Sequence, residues 1–303
     1  MKPEFTVLMS NYNNERYIAE AIESVIAQTF TEWELIIVDD CSTDDSIKTI
    51  KPYLKDKRVK LYRNRSNKGF SHTLKKAIKK SKTEILGILD SDDTLKKEAL
   101  KIMYNSHLRH PECGLIYSQY VFCNKDMIPL KKGHSAKIPK NDSNINHFCV
   151  GPFRTLKETH YQKTGGLDEE LSSAQDHDLT FKMEEVSKLF FTDKILYNYR
   201  IHRESMSYRL RGRETDYRYR YLATYNAYQR RLNKEIPSIT KEKAAETMYK
   251  AAMIEKKKKG SKTLEYLEKA MKLSPIKGCD GVPNKIEKSK KTPNAKKGQK
   301  TIF

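Results

Sequence analysis

With 303 residues, the chain can bury one sizeable core and carry a smaller appendage, and its formal charge of +20, crowded into the C-terminal third, reads as a solvated helix face and tail rather than a dedicated binding site, although such a surface attracts anionic partners. Five cysteines, Cys41, Cys113, Cys123, Cys149 and Cys279, show no short paired spacing, which argues against a zinc site and a disulfide framework and fits a reducing cytoplasm. No stretch reaches the length of a signal-peptide core or a membrane span, so membrane contact is expected only as a peripheral one, at the inner face.

In chain order, Phe5 to Met9 reads as a first strand, followed by the polar loop Ser10-Asn11-Tyr12-Asn13-Asn14. Asn13 or Asn14 is expected to cap a helix whose Ile18, Ala21, Ile22, Val25 and Ile26 share one face. Trp33 to Val38 is a second strand ended by Asp39-Asp40, and Ser42 and Asp44 offer caps for a helix with Ile47, Ile50 and Leu54. Val59 to Tyr62 makes a third strand, and Ser71 opens a helix through Leu74 and Ile78. The apolar stretch Ile85, Leu86, Ile88 and Leu89 then ends in Asp90-Ser91-Asp92-Asp93. This alternation predicts an α/β fold built on a parallel sheet with helices on both faces.

Ligands of such sheets bind beyond the carboxyl ends of the strands, so Tyr12 with Asn13, Asp39 with Asp40, and the acidic run at 90–93 are expected to line one crevice. Carboxylates crowded on one short turn repel one another unless they share a cation, and hard oxygen ligands suit Mg²⁺ or Mn²⁺ that also grips a phosphate.

Past a strand at Gly114 to Val121 and a polar stretch from Lys131 to Asn146, Gly165-Gly166-Leu167-Asp168 precedes a helix from Gln175 or Asp176 through Val186. Strand character resumes at Leu189 to Phe191 and at Ile195 to Tyr199. Beyond Arg211 the chain reads as helical, with Tyr217, Tyr221, Tyr225 and Tyr228 as a packing stripe and a helical hairpin broken at Lys259-Gly260-Ser261. The Lys-rich sequence after Pro275 is expected to be disordered. The domains are thus 1–210, a helical extension at 211–275, and a basic tail at 276–303.

The order of the motifs resembles family 2 inverting glycosyltransferases of the GT-A fold. The motifs are Ser-x-Tyr-Asn at 10–13, Val-Asp-Asp-x-Ser-x-Asp at 38–44, Asn-x-Gly at 67–69, Asp-x-Asp-Asp at 90–93, Gly-Gly-Leu-Asp at 165–168, Gln-Asp-x-Asp-Leu at 175–179 and Tyr-Arg-x-His at 199–202. The resemblance implies a Rossmann-like mixed sheet flanked by helices, with the C-terminal helices as an extension. It also implies transfer of a sugar from a nucleotide-diphosphate sugar, most simply UDP-linked, to a hydroxyl of a glycan, lipid-linked or protein acceptor in polysaccharide biosynthesis.

In this resemblance Tyr12 stacks on the base and Asp39 accepts its imide N–H, with Ser10, Asn13, Asp90 and Ser91 completing the nucleotide site. Asp92, Asp93 and His202 hold Mg²⁺ or Mn²⁺, Asp92 also touching the ribose or diphosphate, and Asp176 is the base that takes the acceptor's proton. Two departures stand out. Leu74 and Lys75 occupy the positions of a frequent Arg-Asn pair, so Lys75 or Lys68 would serve as a point charge, which cannot reproduce a planar fork. Cys41 stands where a Gly is common. The rival readings are a noncatalytic protein that keeps the fold and binds anionic partners, with nucleic acid disfavoured, and a nucleotidyltransferase. The latter would show a basic, Gly-rich phosphate loop after the first strand, and Ser10-Asn11-Tyr12-Asn13 is not one.

Overall fold

The computed structural model describes residues 2–205 and 214–274. The strands are β1 (Phe5–Asn11), β2 (Trp33–Asp39), β3 (Val59–Arg63), β4 (Ile85–Ile88), β5 (Thr94–Leu95), β6 (Cys113–Cys123), β7 (Pro129–Lys132), β8 (Arg154–Lys157) and β9 (Lys188–Arg200). They form one sheet in the order β3-β2-β1-β4-β8-β6-β9-β5, with β7 on β6. The helices are α1 (Ile18–Ile26), α2 (Ser46–Ile50), α3 (Phe70–Lys80), α4 (Ala99–Arg109), α5 (Asn144–His147), α6 (Glu158–Lys163) and α7 (Gln175–Glu184). The extension adds α8 (Glu214–Arg231), α9 (Lys241–Lys257) and α10 (Thr263–Leu273).

The half of the sheet from β3 to β4 is parallel, as the alternation predicts. The sheet as a whole is mixed, because β8 runs antiparallel between β4 and β6. Successive side chains of a strand point to opposite faces. Val7, Met9, Leu35 and Ile37 therefore meet α1 and α4 on one face, while Leu8, Ile36 and Val38 meet Leu74 and Ala77 of α3 and Leu179 and Met183 of α7 on the other. Both faces are dry, which is why β1 and β2 read as continuous apolar runs rather than as alternating ones.

Local signals misplace several boundaries. Neither Asn13 nor Asn14 caps α1 with its side chain; the Asn14 carbonyl accepts from the amides of Tyr17 and Ile18, both at 3.0 Å, while Asn13 sits at φ 53° and spends its side-chain oxygen on the Thr43 amide at 2.8 Å. Helix α3 opens at Phe70 rather than Ser71, after Gly69 at φ 85°, a conformation only glycine adopts without strain. The polar stretch begins with an edge strand, β7, and α4 is an element the sequence reading does not single out.

The extension docks through α8, whose Ala223, Ala227 and Tyr228 pack with Phe181 of α7, Ile145 and Leu171. Tyr221 and Tyr225 face the α9–α10 hairpin, where Met248, Ala251 and Ala252 meet Tyr266, Leu267 and Ala270, so the tyrosine stripe packs at 221, 225 and 228 while Tyr217 is exposed. The expected boundary at 210 and the basic tail from 276 lie outside the described residues. Among the described residues no helix is long and apolar enough to cross a membrane.

Candidate functional site

The carboxyl ends of β1, β2 and β4 bring the first three polar clusters together. At the end of β1, Tyr12 is 42% exposed, and the loop is tied to the acidic turn by the Asn14 side-chain amide, which donates to the Ser91 hydroxyl at 2.7 Å. At the end of β2, Asp39 is fully buried and accepts from the Asn11 side-chain amide (2.9 Å), the Ser42 hydroxyl (2.5 Å) and the Ser42 amide (3.0 Å), with Arg63 at 3.4 Å. Its oxygens are thus shared with the loop they organise.

Neighbouring Asp40 accepts from the Lys68 and Gly69 amides and the Asn64 side chain at 2.7 to 3.1 Å, holding the Asn-x-Gly loop against the sheet. Directly after Asp40, Cys41 adopts φ 64°, the left-handed conformation that favours glycine. Lys68 is exposed at the loop, whereas Lys75 is paired with Glu169 at 2.7 Å and Leu74 is in the core.

The run at 90–93 divides by direction. Asp93 is buried beneath the turn, accepting from the Arg200 amide and the Tyr197 hydroxyl, both at 2.6 Å, so the carboxylate expected among the metal ligands is engaged by β9. Asp92 lies 2.9 Å from Nε2 of His202, whose ring packs against Tyr17 at 4.5 Å with the planes tilted by 54°, and whose buried Nδ1 has no hydrogen-bond partner among the described residues. Arg200 locks this corner: its Nε donates to the Asp92 carbonyl at 2.7 Å, another nitrogen donates to Glu20 at 2.8 Å, and its guanidinium lies over Tyr17. Half-buried Asp90 is pushed up to about 7 by burial and by Asp92 and Asp176, against the pull of Arg154.

Crowded carboxylates of this kind are relieved by a cation. Asp92 and His202 supply one oxygen and one nitrogen donor, which fits Mg²⁺ or Mn²⁺ held by a few protein ligands and completed by phosphate and water. Among the described residues no three acidic, His or Cys side chains converge tightly enough to enclose an ion by themselves.

Asp176 comes to the same crevice from the opposite side, in the first turn of α7. It is not a helix cap: Ala174 holds that place, and the Asp176 carboxylate accepts from the His177 amide at 2.9 Å and pairs with buried Arg154 at 3.4 Å. Burial pushes the Asp176 carboxyl up, but His177, Arg154 and Arg220 outweigh it and hold it down at about 2, so it is ionised at neutral pH. Asp178 is buried and paired with Lys182 and Arg230. A cleft of about 170 Å³ lined by Lys68, Gly69, Phe70, His72, Glu169 and Gln175 opens between the Asn-x-Gly loop and the start of α7.

Sequence reasoning missed Arg154 and the supporting parts of Asp40, Tyr197 and Arg200. The sequence around Arg154, Phe153-Arg154-Thr155-Leu156-Lys157, mixes apolar and polar residues and carries no signal that singles it out.

The architecture, a curled mixed sheet with its acidic turn at the strand ends, is that of a GT-A fold. The family model described as "Glycosyl transferase family 2" matches residues 6–165, and the chain belongs to that family. Among curated proteins it is 27% identical over 206 residues to an Escherichia coli chondroitin synthase, covering 68% of this chain and 30% of that one. It is 33% identical over 152 residues to the putative teichuronic acid biosynthesis glycosyltransferase TuaG of Bacillus subtilis, covering 50% of this chain and 60% of the relative. It thus spans under a third of the synthase. The crystal structure of Staphylococcus aureus TarS residues 1–349 with UDP superposes with a TM-score of 0.65 at 20% identity, covering 91% of this chain and 81% of that one.

Proposed function

We propose that the protein is an inverting glycosyltransferase that moves a sugar from a UDP-sugar to a hydroxyl of a glycan, lipid-linked or protein acceptor during polysaccharide biosynthesis. The observation that carries this reading is the ion pair of Asp176 with buried Arg154 at 3.4 Å, set close enough to Asp90 of the acidic turn that Arg154 and Asp176 both act on its charge. Family membership and the relatives named for chondroitin and teichuronic acid synthesis support the reaction class. A uridine donor is supported by the exposed Tyr12 ring, and TarS, whose fold this chain shares, has been crystallised with UDP and with UDP-GlcNAc.

In the proposed reaction the acceptor oxygen attacks the anomeric carbon on the face opposite the diphosphate. The carbon–oxygen bond to the diphosphate breaks as the new bond forms, its electron pair leaving with the nucleoside diphosphate. Asp176 takes the acceptor's proton, a step that a positioned base accelerates by about 10²–10⁴. Arg154 keeps the Asp176 carboxylate charged before the step and directed by a fixed cation. Asp92 and His202 would hold Mg²⁺ or Mn²⁺, which when bound offsets the charge on the departing diphosphate. Asp90 and Ser91 shape the turn that presents Asp92, and Asp39, Ser10 and Asn13 shape the base and ribose end, with Lys68 as a mobile positive charge at the phosphate side.

The setting we propose is the cytoplasm, with peripheral contact at the inner membrane face. The four described cysteines, none of them in a disulfide, and the charge of +20 support it. The test is a panel of nucleotide sugars scored by calorimetry and by donor hydrolysis, with divalent metal and with chelator. UDP-sugars are expected to bind and turn over best with metal; binding of no nucleotide sugar under either condition overturns the reading.

A further inference from the structure

Within α7 the Asp176 carboxylate is held by the amide of His177 at 2.9 Å, a partner that moves with the helix. Its cap residue Ala174 is held at φ 60° and ψ 20°, without a side-chain cap bond, a backbone state that alanine enters only when its surroundings impose it. The contacts that aim the Asp176 carboxylate at Arg154 are long, at 3.4 Å. Its direction therefore depends on where α7 lies as a body.

The body of α7 is gripped by the last turn of α8. Arg231, with its side chain fully buried, uses all five N–H donors: Nε to Glu185 (3.1 Å), one terminal nitrogen to the Ser143 hydroxyl (2.7 Å) and the Pro237 carbonyl (2.9 Å), the other to the Phe181 carbonyl and Glu184 (both 3.0 Å). Arg230 adds Glu185 at 2.8 Å and Asp178 at 3.1 Å. Ser143 caps α5, and the chain runs on from there to β8 and Arg154, while Glu184 in turn accepts from Ser143 and the Asn144 amide. A single guanidinium thus ties the last turn of α7, the helix that carries Asp176 in its first turn, to the start of α5, from which the chain runs on to Arg154.

We propose that Arg231, assisted by Arg230, is a positioning residue for the transfer reaction: the helical extension sets the placement of α7 and through it the aim of Asp176. This rests on Asp176 being the base. Buried ion networks add little net stability compared with apolar packing, because desolvation offsets the attraction, but their geometry admits one arrangement. A lysine would keep the charge and lose the fork that reaches five acceptors in different directions.

The test compares Arg231→Lys, Asp176→Asn and the double variant in the full chain, measuring transfer kcat well below each melting temperature, together with UDP affinity by calorimetry. Arg231→Lys is expected to lower kcat by about 10- to 10²-fold, the cost of a slightly misplaced catalytic group, with UDP affinity unchanged. In the Asp176→Asn background it should then lower the residual rate no further. Retained kcat with a lower melting temperature overturns the proposal, as does the same loss in both backgrounds, which would show that Arg231 does not act through Asp176. Full activity of Asp176→Asn alone is a different result and removes the base assignment instead. If Arg231→Lys does not fold, Arg230→Gln and Ser143→Ala carry the same comparison, and unchanged kcat in both overturns the proposal.

Discussion

On the donor side of the crevice, Asp39 and Asp40 are fixed by Asn11, Ser42, Lys68 and Gly69, partners 3 to 29 positions away that sit in loops leaving adjacent parallel strands. On the acceptor side, α7 is held by Arg230 and Arg231, and Arg231 reaches 50 positions back to Phe181 and 88 back to Ser143. The acidic turn between them belongs to the second kind, since Asp93 is tied to Arg200 at a separation of 107. The loops proposed to face the nucleotide are thus built from neighbouring crossovers of the sheet, whereas the helix that carries the proposed base is held by a helix appended after the sheet is complete. Changes on the donor side should show first in nucleotide affinity, and changes on the acceptor side in turnover.

The largest effect that would break this comparison is at Asp176. Asn is nearly isosteric but cannot accept the acceptor's proton, so Asp176→Asn should cut transfer by about 10²–10⁴ while UDP affinity and melting temperature stay close to those of the parent. Near-normal transfer by this variant would leave the acceptor side without its base.

The next tests the packing beneath β8. His107 is buried against the Thr155 hydroxyl at 2.9 Å, and burial, then Lys157, pushes its imidazole down to about 3. Between that value and the ordinary 6.5 the unfolded chain binds the proton and the folded one does not, so stability is complete above pH 6.5 and drains away as pH falls toward 3. His107→Gln should flatten this acid limb by an amount on the order of a few kcal/mol, read from urea midpoints between pH 7 and pH 4. An unchanged pH profile would place the sensitivity elsewhere.

On the donor side, Asp40→Ala strands the Lys68 and Gly69 amides and the Asn64 side chain. The expected cost is about 1–3 kcal/mol together with weaker UDP binding, since the Asn-x-Gly loop is released. Loss of turnover at unchanged UDP affinity would blur the division between the two sides. The smallest effect is the metal's: chelation, or Asp92→Ala, should weaken UDP binding by about tenfold by calorimetry, the scale of one modest charge interaction near a surface. Equal UDP affinity with metal and with chelator would remove the cation from the donor side.

The sequence by itself determined the strand–helix alternation, both buried faces of β1 and β2, and the convergence of Tyr12, Asp39 and the 90–93 turn, because each follows from local hydrophobic period and from the polarity of strand ends. Motif order gave the family. What only the tertiary structure decided is how the carboxylates divide their work: Asp93 turns inward to Tyr197 and Arg200, Asp92 meets His202, Asp40 secures the Asn-x-Gly loop, and Glu169 engages Lys75. The antiparallel insertion of β8 was equally hidden, and with it the arrival of Arg154 beside Asp176. The physical reason is the same in each case. A carboxylate's environment is set by donors brought from distant segments when the sheet closes, and no local period in the chain encodes which donor reaches it.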